Sequence, residues 1–174
     1  MIDMSSVFKI KPADKVFIDT NILIFLFAPS YVKKKKDQVE KYSAIVTSLV
    51  QKKCDLYINS HVVSEFINRC LRIDFDNNYN KNKDKNYKQD YRNSEEYLTT
   101  IHIVLKQLKK FLKFANHIND DFESFNISKA YETKKESDFN DLIIADTVIK
   151  NQLKLLSDDA DFNDSLGINT NWYL

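Results

Sequence analysis

The chain has 174 residues, a length that suggests one domain with a real core, and a formal net charge of +1, which names no partner by itself. Hydrophobic residues make up 43%, which excludes wholesale disorder. No apolar run is long enough to cross a bilayer, and Met1 to Ile10 lacks a basic segment followed by an apolar one, so a cytoplasmic protein without membrane contact is expected.

Lys15 to Asp19 reads as a buried strand, because Val16, Phe17 and Ile18 run straight into an acid. A short helical turn follows from Thr20 and is closed by Pro29. Asp37 to Lys53 carries apolar residues at Val39, Tyr42, Ile45, Val46 and Leu49, which is helical spacing. Leu56 to Ile58 is a short strand. Ser60 is expected to cap the next helix, with Val62, Val63, Phe66, Ile67, Cys70 and Leu71 on its inner face. Asp74 to Asn93 is rich in Asn, Lys, Asp and Tyr and reads as a polar insertion between two helices.

Ser94 opens a long helix through Ile101, Val104, Leu105, Leu108, Leu112 and Ala115. Phe122 to Ile127 is expected as a strand. Asp138 to Asn151 is a helix with Leu142, Ile143, Ala145, Val148 and Ile149 inside. Lys154 to Ser157 is a strand, and Asn171 to Leu174 a last one. Strands alternating with helices predict one α/β domain over residues 1–174, a three-layer α/β/α sandwich around a mainly parallel sheet, with the insertion at about 74–93.

Several chemistries drop out. Cys54 and Cys70 are too few for a disulfide framework and are expected as buried thiols. They show no zinc-ligand spacing with His61, His102 or His117. Gly167 is the single glycine, which excludes a Gly-rich phosphate loop or dinucleotide fingerprint.

What remains is a set of carboxylates in four separate segments: Asp19, Glu65, Asp141, and the run Ser157-Asp158-Asp159-Ala160-Asp161. Asp19 and Asp159 fall at the carboxyl ends of predicted parallel strands, where sites of such sheets lie. Each acid also has an ordinary reading. Asp19 or Thr20 caps the helix that follows. Glu65 pairs with Arg69 four residues on. Asp138 caps its helix, and Asp146 pairs with Lys150. Taken together, clustered acids repel unless a hard cation neutralises them, so the pattern points to Mg²⁺ or Mn²⁺. Thr20 and Asn21 stand where they can orient a carboxylate or a water.

These four segments, in this order, resemble the PIN-domain family of metal-dependent ribonucleases. Val16-Phe17-Ile18-Asp19-Thr20-Asn21 is the most specific block; Ser64-Glu65-Phe66, Asp141 with Ile144-Ala145, and Leu155 to Phe162 match the later ones. The resemblance implies Asp19, Glu65, Asp141 and Asp159 as ligands of one or two Mg²⁺ or Mn²⁺ ions. It implies Asp161 as a further ligand that can exchange roles with Asp159, and Thr20, Asn21 and Ser157 as supporting groups. It also implies an endoribonuclease acting on RNA, as the toxin of a toxin–antitoxin pair with a small antitoxin protein as partner; a homodimer stays open. The insertion departs from the compact toxins of the family. Its Lys81, Lys83, Lys85 and Lys88 are candidates for phosphate contacts, and its Tyr79, Tyr87 and Tyr91 for base stacking, against the plain reading of a solvated loop.

Three rivals are weighed. A haloacid-dehalogenase-like phosphatase needs a second Asp two residues after the first, and Asn21 stands there. A receiver-like domain needs a strand-end Lys, whereas Lys154 precedes its strand. A non-catalytic PIN-like module binding RNA or protein usually shows lost acids, and here all four positions are filled.

Overall fold

The structure is a computed structural model, and it describes residues 10–28, 35–81, 84–120, 122–128, 138–159 and 162. Within them lie four strands, β1 (Lys15–Ile18), β2 (Asp55–Ile58), β3 (Ala115–His117) and β4 (Lys154–Leu156). Five α-helices accompany them: α1 (Thr20–Phe27), α2 (Lys36–Gln51), α3 (Ser60–Asp74), α4 (Glu95–Phe111) and α5 (Phe139–Lys150). All strand pairs are parallel, in the order β3-β2-β1-β4. The expected α/β architecture is therefore present.

β1 is central because it is apolar on both faces. Val16, Phe17 and Ile18 are fully buried, and in a strand successive side chains point to opposite sides. Helices must then cover both faces of the sheet, which makes three layers. Register is set by Val16 opposite Leu56 on one side and Lys154 on the other. Lys154 opens β4 at the amino edge and pairs with Asp14, remote in the strand from the acids that follow β4.

With so little glycine, the chain turns out of its helices on other residues. α2 and α5 both end with a left-handed residue, Lys53 at φ 55° and Gln152 at φ 52°. In each, the next N–H reaches back to a carbonyl in the last turn: Cys54 to Leu49 at 3.0 Å and Leu153 to Val148 at 2.9 Å. These bonds satisfy carbonyls that the helix end leaves open, and they aim the chain into β2 and β4.

Several boundaries differ from the sequence expectation. Asn59, not Ser60, caps α3, its Oδ1 accepting from Val62 N–H at 3.0 Å. α4 stops at Phe111, and Ala115 belongs to β3, paired opposite Leu56. The third strand partner is thus found before, not within, Phe122 to Ile127, where the chain makes a 3₁₀ turn over Phe122–Ser124. Leu105 and Ile149 face outward, and Cys54 is only partly buried, its thiol 3.4 Å from the Lys11 carbonyl.

The insertion is not merely polar. α3 continues into a π-turn (Phe75–Tyr79), and a 3₁₀ turn (Tyr91–Asn93) precedes α4. Between them Leu71, Phe75 and Tyr91 form a second small core, flanked by Tyr79, Tyr87 and Tyr97. Its polar anchor is Asp74, which accepts hydrogen bonds from the Tyr91 hydroxyl (2.6 Å), Thr100 (2.8 Å) and Asn78 (2.6 Å). Tyr91 is fully buried, so it does not stack on a base; its ring is part of the fold. Tyr87 is covered by the Arg72 guanidinium, 3.9 Å from its ring centre. Asp161, Lys83 and the expected strand Asn171 to Leu174 lie outside the described residues.

Candidate metal centre at the carboxyl edge of the sheet

Asp19 is the first residue past β1, and its backbone is extended (φ −77°, ψ 159°), so the chain leaves the strand and enters α1 within one residue. Its Oδ1 accepts the Thr20 N–H at 2.6 Å, the capping role expected of an acid here. Its backbone N–H still donates to Leu156 of β4 at 3.1 Å, which sets Asp19 beside Ser157. The Ser157 hydroxyl donates to Asp19 Oδ2 at 2.6 Å and accepts from Asn21 Nδ2 and from the Asp159 N–H, both at 3.0 Å. One donor and two acceptor positions exhaust what a hydroxyl can do. Asn21 Oδ1 in turn accepts from the Asp158 N–H at 3.1 Å. The β4 acidic loop is thereby tied to the β1 end.

Glu65 joins from α3. Its Oε2 accepts from the Thr20 hydroxyl at 3.0 Å, and its Oε1 faces Arg69 at 3.3 Å. Both readings of Glu65 hold at once: it makes the ordinary pair along its helix, and it reaches across to the residue after Asp19. Asp141 occupies the first turn of α5, whose cap is Asp138, bonded to the Asn140 N–H at 2.7 Å. Asp146 pairs with Lys150 at 2.6 Å.

The electrostatics link these segments. Asp19 is 5% exposed, and its carboxyl is pushed up from the ordinary 3.8 to about 6. Burial is the main cause; Glu65 and Asp159 add to it, against the hydrogen bonds from Ser157 and Thr20. Asp141 is pushed up to about 7, first by burial and then by the negative charges of Asp138, Asp159, Asp19 and Glu65. Asp19 and Asp141 therefore both feel Glu65 and Asp159, and each of these charges is negative. Hard carboxylate oxygens in a negative field are donor chemistry for Mg²⁺ or Mn²⁺. The geometry is not yet that of a closed ligand set: among the described residues no three Asp, Glu, His or Cys side chains stand grouped to hold a metal ion. Asp19 and Glu65 turn their oxygens to Ser157, Thr20 and Arg69.

One participant was not legible as such. Tyr42, an apolar position of α2 in the sequence pattern, is buried with its ring stacked on Phe25 at 5.3 Å. Its hydroxyl donates to Asp158 in the acidic loop and accepts from Lys41 at 3.2 Å. The available signal was a hydroxyl on an otherwise apolar helix stripe, which demands a partner once buried.

A family model described as PIN domain matches residues 16–165, from the start of β1 past the acidic loop after β4. No curated protein and no solved structure matches the chain.

Proposed function

From the chain's membership of the PIN-domain family, whose members are generally nucleases, we propose that it is a metal-dependent endoribonuclease hydrolysing RNA phosphodiester bonds. The observation that carries the proposal is the electrostatic meeting of Asp19, Glu65, Asp141 and Asp159 at the carboxyl edge of a parallel sheet. These four, with Asp161, are the residues that would hold Mg²⁺ or Mn²⁺. A divalent cation bound there supplies charge neutralisation, a lowered pKa for water and stabilisation of the leaving oxygen.

The chain's own groups do the rest. Ser157 bonds both Asp19 Oδ2 and the Asp159 backbone N–H, which ties the ends of the adjacent strands β1 and β4 together. Asn21 holds the loop at Asp158. Thr20 steers one oxygen of Glu65, and Arg69 offsets part of the negative charge from the other side. No side-chain nucleophile is required: Ser157 spends its proton on Asp19. We place the protein in the cytoplasm as one domain, the toxin of a toxin–antitoxin pair, with a small antitoxin protein covering the acidic cleft; a homodimer fits the same reading. Among the described residues no helix is long and apolar enough to cross a membrane.

The alternative is a non-catalytic PIN-like module that binds RNA or protein. One experiment separates the two. Purified protein is incubated with labelled single-stranded RNA and Mn²⁺, with and without excess EDTA, beside Glu65→Gln. Cleavage that EDTA and Glu65→Gln both abolish supports the nuclease; retained RNA binding without cleavage under any metal supports the module.

A further inference from the structure

Tyr42 brings a hydroxyl from α2 to the acidic loop after β4. The residue is 1% exposed, and its ring lies on Phe25 of α1, centroids 5.3 Å apart and planes 4° from parallel. The stack fixes where the phenol oxygen sits. That oxygen accepts from Lys41 Nζ at 3.2 Å, and the same ammonium stands 4.8 Å from the ring centre. The phenol's single proton goes to Asp158 Oδ1, a bond strengthened by the charge on its acceptor. Asp158 is held a second time, by its backbone: its N–H donates to Asn21 Oδ1 at 3.1 Å. The next N–H, of Asp159, donates to the Ser157 hydroxyl at 3.0 Å. Two neighbouring acids are thereby given different tasks. Asp159 is among the leading charges that push up the Asp19 and Asp141 carboxyls, and Asp158 is not.

We propose that Tyr42 is a positioning residue of the metal centre: by holding the Asp158 carboxylate against α2, it sets the acidic loop so that Asp159, and not Asp158, is offered to the cation. The cation rests on the metal-dependent reading above; the bond from Tyr42 to Asp158 does not. Asp158 is otherwise exposed, so nothing in the core restrains its side chain once the hydroxyl is gone. The loop then samples arrangements in which Asp159 points elsewhere, and those that bring Asp158 toward Asp19 add repulsion between like charges. A cation has to order such a loop as it binds, and its affinity falls by that cost. Groups that orient metal ligands from behind act in this way, and here the effect passes through one intervening residue.

The test measures Mn²⁺ affinity by isothermal titration at pH 7.5 and amide hydrogen exchange in EDTA. Tyr42→Phe keeps the ring and its stack on Phe25 and removes only the hydroxyl. It should weaken Mn²⁺ binding about tenfold, as loss of an orienting group does. In EDTA it should speed exchange at the Asp158 and Asp159 amides and leave the β1 amides unchanged. Asp158→Asn keeps an acceptor for the phenol and should bind Mn²⁺ within about twofold of wild type. Asp158→Ala should lose as much as Tyr42→Phe, and the two together no more than either, because they break one bond. Wild-type affinity in Tyr42→Phe overturns the proposal, even if its thermal midpoint falls, since the hydroxyl would then serve stability alone. A larger loss in Asp158→Asn than in Tyr42→Phe overturns it by making Asp158 a ligand, and additive losses in the double variant overturn it by separating the two residues. No Mn²⁺ binding by the wild type also overturns it. RNA cleavage is scored separately. Cleavage with an unaltered Tyr42→Phe protein leaves the nuclease and removes the positioning role; the predicted Mn²⁺ and exchange effects without cleavage leave the positioning role and remove the nuclease.

Discussion

At the scale of single residues, Asp19 carries two opposed demands. It caps α1, which needs an acceptor, and it sits buried among other acids, which penalises its charge. Asp19→Asn keeps an acceptor for the Thr20 N–H but then presents an amide N–H to Ser157, whose oxygen already accepts twice. One hydrogen bond is lost, worth about 1 kcal/mol, while a buried charge worth up to about 3 kcal/mol at neutral pH is removed. We expect cleavage to vanish and the thermal midpoint in EDTA at pH 7.5 to hold or rise; a large fall would assign Asp19 a mainly structural role. Ser157→Ala has the opposite profile. It strips three bonds at once and should cost about 1–3 kcal/mol by chemical denaturation while reducing, not abolishing, cleavage. A stable, fully active Ser157→Ala protein would show that the hydroxyl does not set the acids.

At the scale of elements, the apolar strands and helix stripes were readable because burial repeats with the period of each element. β1, β2, β4, α2, α3 and α5 follow from that pattern within a residue or two. The misses have physical causes. β3 is three residues long and partly exposed, so it has no apolar signature, and only its pairing with β2 makes it a strand. The cap of α3 fell to Asn59 because either of two adjacent polar residues could serve, and only the backbone angle decides. The acids after β1 and on α3 and α5 were legible as residue types, but the Ser157 bonds joining β1 to β4 are long-range and leave no local trace, and the Tyr42 hydroxyl signals that a partner is needed without saying which. Gln152, left-handed between α5 and β4, gives a further prediction: Gln152→Gly should stabilise the protein by roughly 0.5–1 kcal/mol, since glycine escapes the Cβ clash there. Destabilisation on denaturant titration would mean the side chain contributes more than its backbone costs. In the insertion, Lys81, Lys83, Lys85 and Lys88 changed together to Ala should flatten the dependence of log K on log salt by up to roughly 0.7 per lost RNA contact. An unchanged slope would assign that lobe to surface, its tyrosines serving the small core.

At the scale of the whole molecule, the acid cluster ties stability to pH and to metal. Asp19 and Asp141 titrate near 3.8 when unfolded and near 6 and 7 when folded, so between these values the folded protein binds more protons. Stability then falls as pH rises from about 4 to about 7. Asp19 accounts for up to about 3 kcal/mol of that fall, and the half-open Asp141 for less because solvent screens it. A divalent cation takes the deprotonated carboxylates, so saturating Mn²⁺ should offset the loss above pH 7 and have little effect near pH 4.5. Thermal midpoints at the two pH values, with Mn²⁺ and with EDTA, check this; a midpoint independent of both would dissolve the cluster as an energetic unit.

The most direct measurement of the central claim is Mn²⁺ binding by isothermal titration at pH 7.5, comparing wild-type protein with Asp141→Asn. Asp141 is pushed up to about 7, by burial first and then by Asp138, Asp159, Asp19 and Glu65 together. If these carboxylates form one metal centre, the wild type binds Mn²⁺ with proton release, and Asp141→Asn weakens binding at least tenfold with its fold intact. Equal Mn²⁺ affinity in the two proteins, or no binding by the wild type, would contradict the account.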